Sequence, residues 1–398
     1  MSYFREIETG RTLDQARYNE GALYALNVFS RSPAMTIPVL LPFINRCGMS
    51  VAQFFWLQAG FVGLLACLQV PTGYFADRIG RKTALVTGAL LWTVSMLIYG
   101  SADCVATLVV AEVVWAFGSA LVSGADAAKL RATLEVNGRG EELGASLGRM
   151  SGIGQVAEVP LFAIGGLLSL YDMRLPFFGA AALLGALVLI LTGLTEFKQA
   201  DEEQPRAALE ELFKAGRYVF GGNALLAWLV MFQALLLSFT LTAFWFTTPL
   251  LLAHEVPESQ HGLWFAGMAA VIALANWQAA SLQGKLKALP LWLVLGLVAG
   301  FAGPASGSFT LMLAGLFCQK LAFGVAAVVC KERIANQAPR QLSATVLSFA
   351  GMFMNLVQLV LLTLCGVLLA CEVPLQIVLG VCGAMVAVGG ALLLARKP

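Results

Sequence analysis

The sequence predicts an all-α membrane protein with twelve transmembrane helices in two pseudo-symmetric six-helix bundles. Three observations predict it: an apolar composition, twelve apolar runs of helical length, and basic residues confined almost wholly to alternate loops. Of 398 residues, 59% are hydrophobic and 12% charged, against about 45–50% and about 25% in soluble proteins. Twelve spans of about 20 residues would occupy ~240 positions, ~60% of the chain. This excludes a soluble globular enzyme and a disordered chain. A formal net charge of +2 supplies no basic field, which excludes a nucleic-acid binder.

Runs bounded by charge or by Gly and Pro place the spans at 21–44, 52–75, 83–101, 105–127, 145–169, 174–195, 223–252, 261–283, 290–307, 309–330, 343–370 and 373–395. Helix is the expected state, because lipid offers backbone groups no outside partner. The runs are also too long for barrel strands. The ninth is the shortest, and Pro304 marks its junction with the tenth. Residues 1–20 are polar and mixed in charge, which suits a cytoplasmic N-terminal segment and not a cleavable signal. Residues 196–222 carry Glu202, Glu203 and Pro205, then a helix-like stretch over 207–219. They read as a cytoplasmic linker between a bundle at 21–195 and a bundle at 223–398.

An even number of spans puts both termini on one side. Of the 25 basic residues, 21 fall in the N-terminal tail, the loops on that side and the C-terminal tail. The opposite loops hold only Arg46 and Arg174. The positive-inside rule therefore places both termini in the cytoplasm, for a multi-pass protein of the cytoplasmic (inner) membrane. The eight cysteines lack metal-ligand spacing and mostly sit in apolar runs, where cysteine behaves as a small hydrophobe. With two histidines in the chain, no metal site is expected. No Ser/His/Asp or Cys/His constellation for catalysis appears.

Between the second and third spans, residues 73–82 read GYFADRIGRK. This resembles the signature loop of the major facilitator superfamily, G-x-L-A-D-R-x-G-R-R/K, with Phe75 at the Leu position. The span number and central linker agree with that family over the whole chain. Gly73 suits close helix packing, and Gly80 a tight turn. Asp77 is an anion at a helix end, able to meet backbone N–H groups of another helix. Arg78, Arg81 and Lys82 are cations suited to anionic lipid. The resemblance implies that these six residues form a gating loop tying the two halves together on the cytoplasmic side. In the second half, Gln278 to Lys285 occupies the corresponding place in a degenerate form.

Ionisable groups at bilayer depth are costly, and four stand out: Arg31, Glu112, Glu158 and Lys320. Helical spacing groups polar residues with them. Asn27 lies one turn before Arg31. Glu112, Ser119, Ser123 and Asp126 fall on one face of the fourth span, as do Ser151, Gln155, Glu158 and Phe162 on the fifth. Gln233, Thr240, Phe244 and Thr247 form a milder stripe on the seventh, and Asn355 and Gln358 add amides to the eleventh. The family lines its cavity mainly with spans one, four, seven and ten, so Arg31, Glu112 and Lys320 are expected there. A structural role is open beside the functional one: Arg31 pairs with Glu112 or Glu158. Lys320 has no acidic neighbour in the mid-membrane second half, so it either reaches the first half or meets an anionic substrate group. Glu112 and Glu158 are the expected proton-coupling carboxylates.

The resemblance implies a secondary transporter that moves a small organic molecule by alternating access, in the drug-exporter-like branch, by proton-coupled export. Import of an anion or other solute, and lipid translocation, are alternatives within the same fold. No cofactor beyond a proton gradient is expected. The expected partners are a small-molecule substrate and the bilayer, with no nucleic acid, and the chain is expected as a monomer. Two departures bear on export. Glu112 and Ala116 stand where exporters often carry Arg and Gly, and Val159-Pro160 with Gly165-Gly166 replaces a Gly-Pro…Gly-Gly pattern.

Overall fold

A computed structural model describes residues 2–197, 208–285, 288–339 and 342–398, with the backbone alone at 2–11, 69–71, 73–78, 208–209, 211–212, 280–285 and 343–344. Every regular element among the described residues is helical. In chain order they are α1 Ser2–Phe29, a 3-10 turn Ser32–Met35, α2 Ile37–Arg46, α3 Val51–Ile79, α4 Arg81–Gly100, α5 Val105–Val122 and α6 Ala125–Val136. A 3-10 turn Gly140–Glu142 then leads into α7 Leu143–Leu168, α8 Leu175–Thr192, α9 Ala208–Gly222, α10 Ala224–Ala253 and α11 Glu258–Lys285. The chain ends with α12 Leu289–Ala305, α13 Phe309–Gln337, α14 Ser343–Ala370 and α15 Leu375–Ala395. Ten helical stretches are long and apolar enough to cross a membrane. Two shorter apolar helices, α2 and α12, fall on the first and ninth expected spans.

Two expected spans differ from the structure. The run at 21–44 is not one helix. α1 reaches back to Ser2, and the α-helical pattern stops at Phe29. Arg31 N–H then bonds to Val28 O, three residues back, and Ala34 and Thr36 continue that tighter pattern. Pro33 and Pro38 explain the break, since neither offers an N–H to an α-helical ladder. The expected helix at 105–127 also divides. α5 ends at Val122, Gly124 takes φ +85°, and α6 begins at Ala125. Asp126 therefore does not continue the Glu112 stripe along one helix. The short ninth span lies where expected. Pro304 is in its last turn, Gly307 turns the chain at φ +73°, and the Ser308 hydroxyl caps α13 by accepting from Leu311 N–H.

The chain forms two compact units: residues 1–43 with 67–205, and residues 44–66 with 206–398. Residues 44–66, read from sequence with the first bundle, thus group with the second. Aromatic packing within that unit accounts for it. Phe54 meets Trp245 edge-on at 5.5 Å and Phe55 tilts against Phe246 at 4.5 Å. The Gly63 backbone lies 3.5 Å, measured from its Cβ position, from the Leu359 side chain.

Within each unit the third and fourth membrane helices cross on glycine. In the first, a Cβ on Gly88 would stand 2.9 Å from Gly118 O, and one on Gly118 2.8 Å from Gly88 O. In the second, Gly303 and Gly315 bring α12 and α13 together, each Cβ position being 3.2–3.3 Å from the other's Cα. Dispersion and backbone proximity hold such crossings, because lipid gives helices no hydrophobic drive to associate. Gly88→Val and Gly118→Val are each expected to cost ~1–3 kcal/mol through overpacking. Gly144→Ala, with nothing within 4 Å of its Cβ position, is expected to be neutral. Thermal melts of the purified protein in detergent compare the three.

Candidate functional site

The sequence-predicted residues fall into separate groups. The first forms where the first span breaks. Arg31, at the helical break, extends its guanidinium to Glu158 of α7, with Nη1 2.6 Å from Oε1. Gln155, one turn before Glu158, donates Nε2–H to the other carboxylate oxygen at 2.8 Å. Gly154 allows this approach: its Cβ position is 3.0 Å from Asn27 O and 3.3 Å from Arg31 Nε. Asn27, Arg31, Gln155 and Glu158 are thus neighbours, and Arg31 pairs with Glu158 rather than Glu112. Both charged side chains are partly accessible, 35% for Arg31 and 18% for Glu158. The pair is therefore not sealed within the protein.

Glu112 is placed differently. It is 9% exposed and accepts a hydrogen bond from the Tyr99 hydroxyl of α4. Tyr99 in turn stacks on Phe177, 5.7 Å away, which tilts against Phe43 at 4.7 Å. Two turns further along the α4–α5 seam, Trp92 donates to Ser119 Oγ at 2.9 Å. Glu112 therefore joins α4 to α5. Tyr99 was not singled out in the sequence. The signal was two polar groups near the outer ends of consecutive spans.

The gating loop is a helix–glycine–helix corner. α3 ends at Ile79, Gly80 takes φ +90°, and α4 starts at Arg81. Gly73, Asp77 and Arg78 lie on the helical backbone of α3, and their side chains lie outside the described residues. Arg81 donates to Ala128 O at 3.3 Å. Sequence reasoning missed the group that closes the corner, Glu196. One of its oxygens accepts from Lys82 N–H at 3.2 Å, at the unsatisfied N-terminus of α4. The other meets the buried Lys129 ammonium of α6, which also donates to Thr195 O at 2.7 Å. Asn19 pins the same Thr195 backbone by two hydrogen bonds, at 2.8 and 2.9 Å. Burial opposes the charge on Glu196, yet the Lys129 ammonium and the Lys82 amide outweigh it and hold its carboxyl below its ordinary value. In the sequence, Lys129 counted only toward topology and Glu196 as the start of a linker. A carboxylate directly after an apolar span was the available signal.

The second unit holds Lys320 of α13. It is 2% exposed, and no carboxylate pairs with it among the described residues. Its ammonium lies 5.3 Å from the centroid of the Phe244 ring on α10. Phe244 belongs to the expected α10 stripe, in which Gln233 Oε1 and Thr247 Oγ1 are buried without a partner. Gln358 is buried on α14, with Asn355 three residues before it.

A family model described as Major Facilitator Superfamily matches residues 22–294. Multidrug resistance protein 1 of Bacillus subtilis (strain 168) is 28% identical over 212 residues, 53% of this chain and 52% of that protein. The chain thus spans about half the length of that relative. Multidrug resistance protein 2 of the same organism is 22% identical over 330 residues, 77% of this chain and 78% of that protein. Among solved structures, a mutant of the nucleoside transporter NupG superposes with a TM-score of 0.78 at 12% identity, over 96% of this chain and all of that one. A bacterial homolog of the human lysosomal transporter Spinster superposes with a TM-score of 0.73 at 18% identity, over 96% and 97%. At these identities the structures speak to the fold.

Two outcomes are expected. The melting-temperature advantage of the protein over Glu196→Gln is full above the carboxylate's unfolded pKa of about 4.3 and is lost as pH falls through its lower folded value. Melts taken from neutral pH down to about pH 3 check this, and a pH-independent advantage would contradict it. Arg31→Met and Glu158→Gln are each destabilising, and together cost less than their sum by ~0.5–3 kcal/mol. A double-mutant cycle on the same melts measures the difference.

Proposed function

Because the chain belongs to the major facilitator superfamily, we propose that it exports a small organic molecule across the cytoplasmic membrane by alternating access, in exchange for protons. The observation that carries the proposal is the Arg31–Glu158 pair, at 2.6 Å, set on a broken membrane helix. An ionised Glu158 holds Arg31 by a charge-assisted bond. A proton taken up by Glu158 removes the charge and weakens that bond. Arg31 sits where the backbone changes from α to 3-10 hydrogen bonding. Loss of its anchor therefore acts at the joint between α1 and α2, which can change angle there without breaking an α-helical ladder. Proton binding is in this way tied to helix geometry, as an antiporter requires.

Export, and not import, is supported by the two Bacillus relatives, both named multidrug resistance proteins. Gln155 orients the carboxylate, and Glu112, held by Tyr99, is the second coupling carboxylate. The Gly80 corner with its Glu196–Lys129 clamp serves as the cytoplasmic gate in this reading, joined by Gly73, Asp77, Arg78, Arg81 and Lys82. The segregation of 21 of 25 basic residues supports cytoplasmic termini. The proton gradient is the sole energy source, and the functional unit is a monomer.

Proteoliposomes of defined orientation, loaded with a panel of radiolabelled compounds (ethidium, norfloxacin and 1-naphthoate), test this. At least one compound is expected to be moved outward against its gradient when a pH gradient is imposed. Glu158→Gln is expected to lose that uphill transport by tenfold or more while keeping passive counterflow. Uphill transport with unchanged pH dependence in both Glu158→Gln and Glu112→Gln would overturn proton coupling through these residues.

A further inference from the structure

We propose that Lys320 is the anchor of an anion-recognising subsite in the second unit, so that the transported compound carries a carboxylate or similar anionic group on an aromatic or apolar body. The inference rests on the transporter reading above and names its substrate class.

Four observations carry it. Lys320 is fully buried in a membrane helix with no carboxylate against it among the described residues, whereas the buried cation of the first unit, Lys129, has Glu196. An ammonium has three donors and no acceptor function. Burial of that charge without a partner is costly. The Phe244 face, 5.3 Å away, attracts the charge but accepts no conventional hydrogen bond. The second observation is Thr247, three residues along the same α10 face as Phe244. Its hydroxyl is buried without a partner and can donate to an anion held by Lys320.

The third is Asn276 on α11, whose Oδ1 is also buried and unpartnered. Gly324, one turn beyond Lys320 on α13, has a Cβ position 3.3 Å from Asn276 N. The bare glycine thus brings the Asn276 backbone to the Lys320 face of α13, where its side-chain oxygen can accept from an N–H or O–H on the ligand body. The fourth is the surface around the cation. Phe244 packs edge-on against Phe265 at 5.4 Å and Trp245 at 5.2 Å, so the ring beside the charge belongs to an aromatic cluster. One cation, one free hydroxyl, one free acceptor and that aromatic cluster fit an aromatic carboxylate. They do not fit an organic cation, which Lys320 would repel.

Thermal melts of the full-length protein in detergent, followed by size-exclusion chromatography, test this with 1-naphthoate, its neutral amide and the cationic 1-naphthylmethylammonium. Naphthoate alone is expected to raise the melting temperature. Lys320→Met is expected to weaken naphthoate binding about tenfold or more, as for loss of a charged hydrogen bond. Lys320→Arg is expected to keep part of the response, and Glu158→Gln all of it. Should Lys320→Met not fold, Phe244→Leu is expected to weaken naphthoate binding severalfold. No response to naphthoate, an equal response to the amide or ammonium, or an undiminished response in both Lys320→Met and Phe244→Leu would overturn the subsite. Binding needs no gradient. A protein that binds naphthoate but shows no pH-driven transport would thus refute export and leave the subsite standing.

Discussion

Lipid supplies no hydrogen bonds, and that absence governs this molecule. Each polar group carried into the membrane must find its partner within the protein. Most do so by backbone helix, and the composition follows from it. The few charges that remain inside are therefore meaningful by position. Arg31 is held by Glu158 and Gln155, and Glu112 by Tyr99. Lys320 has an aromatic ring but no anion among the described residues. Among the described residues, Arg31, Glu158 and Glu112 thus have polar partners within the first unit, and Lys320 has no anionic one in the second. In the proposed function, the first unit serves coupling and the second recognition.

Glycine is the complementary device. Gly88 with Gly118, and Gly303 with Gly315, let backbones meet in the interior of each unit. Gly154 opens the room in which Arg31 reaches Glu158, and Gly324 brings Asn276 to the Lys320 face. Gly80 and Gly124 turn the chain at φ values that side chains resist. The same residue thus supplies packing, access and corners. A methyl group added at any of these crossings acts on packing, at Gly324 too, where the Cβ position is 2.6 Å from Ala275 Cβ, while one at Gly154 would meet Asn27 O and Arg31 Nε.

Much of the fold was legible because lipid imposes a coarse rule. Apolar runs fell on helices, and the short ninth span with Pro304 proved to be a 17-residue helix. The breaks were harder to read. Hydropathy is blind to backbone pattern, so 21–44 and 105–127 each looked continuous. Yet Pro33 with Pro38 divides the first, and Gly124 the second. Glu158, Gln155, Arg31 and Asn27 were named from depth and helical spacing, and the structure gathers them. The partners that came from distant sequence were not readable. Tyr99 meets Glu112 across a turn between helices, and Glu196 meets Lys129 from the far side of two spans. Spacing rules describe one helix at a time and cannot register such pairs. The grouping of residues 44–66 with the second unit is a tertiary fact of the same kind, built from aromatic contacts between residues 191 apart in sequence.

The central claim is that Glu158 exchanges Arg31 for a proton during the transport cycle. Infrared difference spectroscopy on reconstituted protein, with glutamate carbon-13 labelled, reads this directly. Lowering the pH is predicted to produce an isotope-shifted band of protonated carboxylic acid, one component of which is missing in Glu158→Gln. A Glu158→Gln protein with the full band would contradict the account.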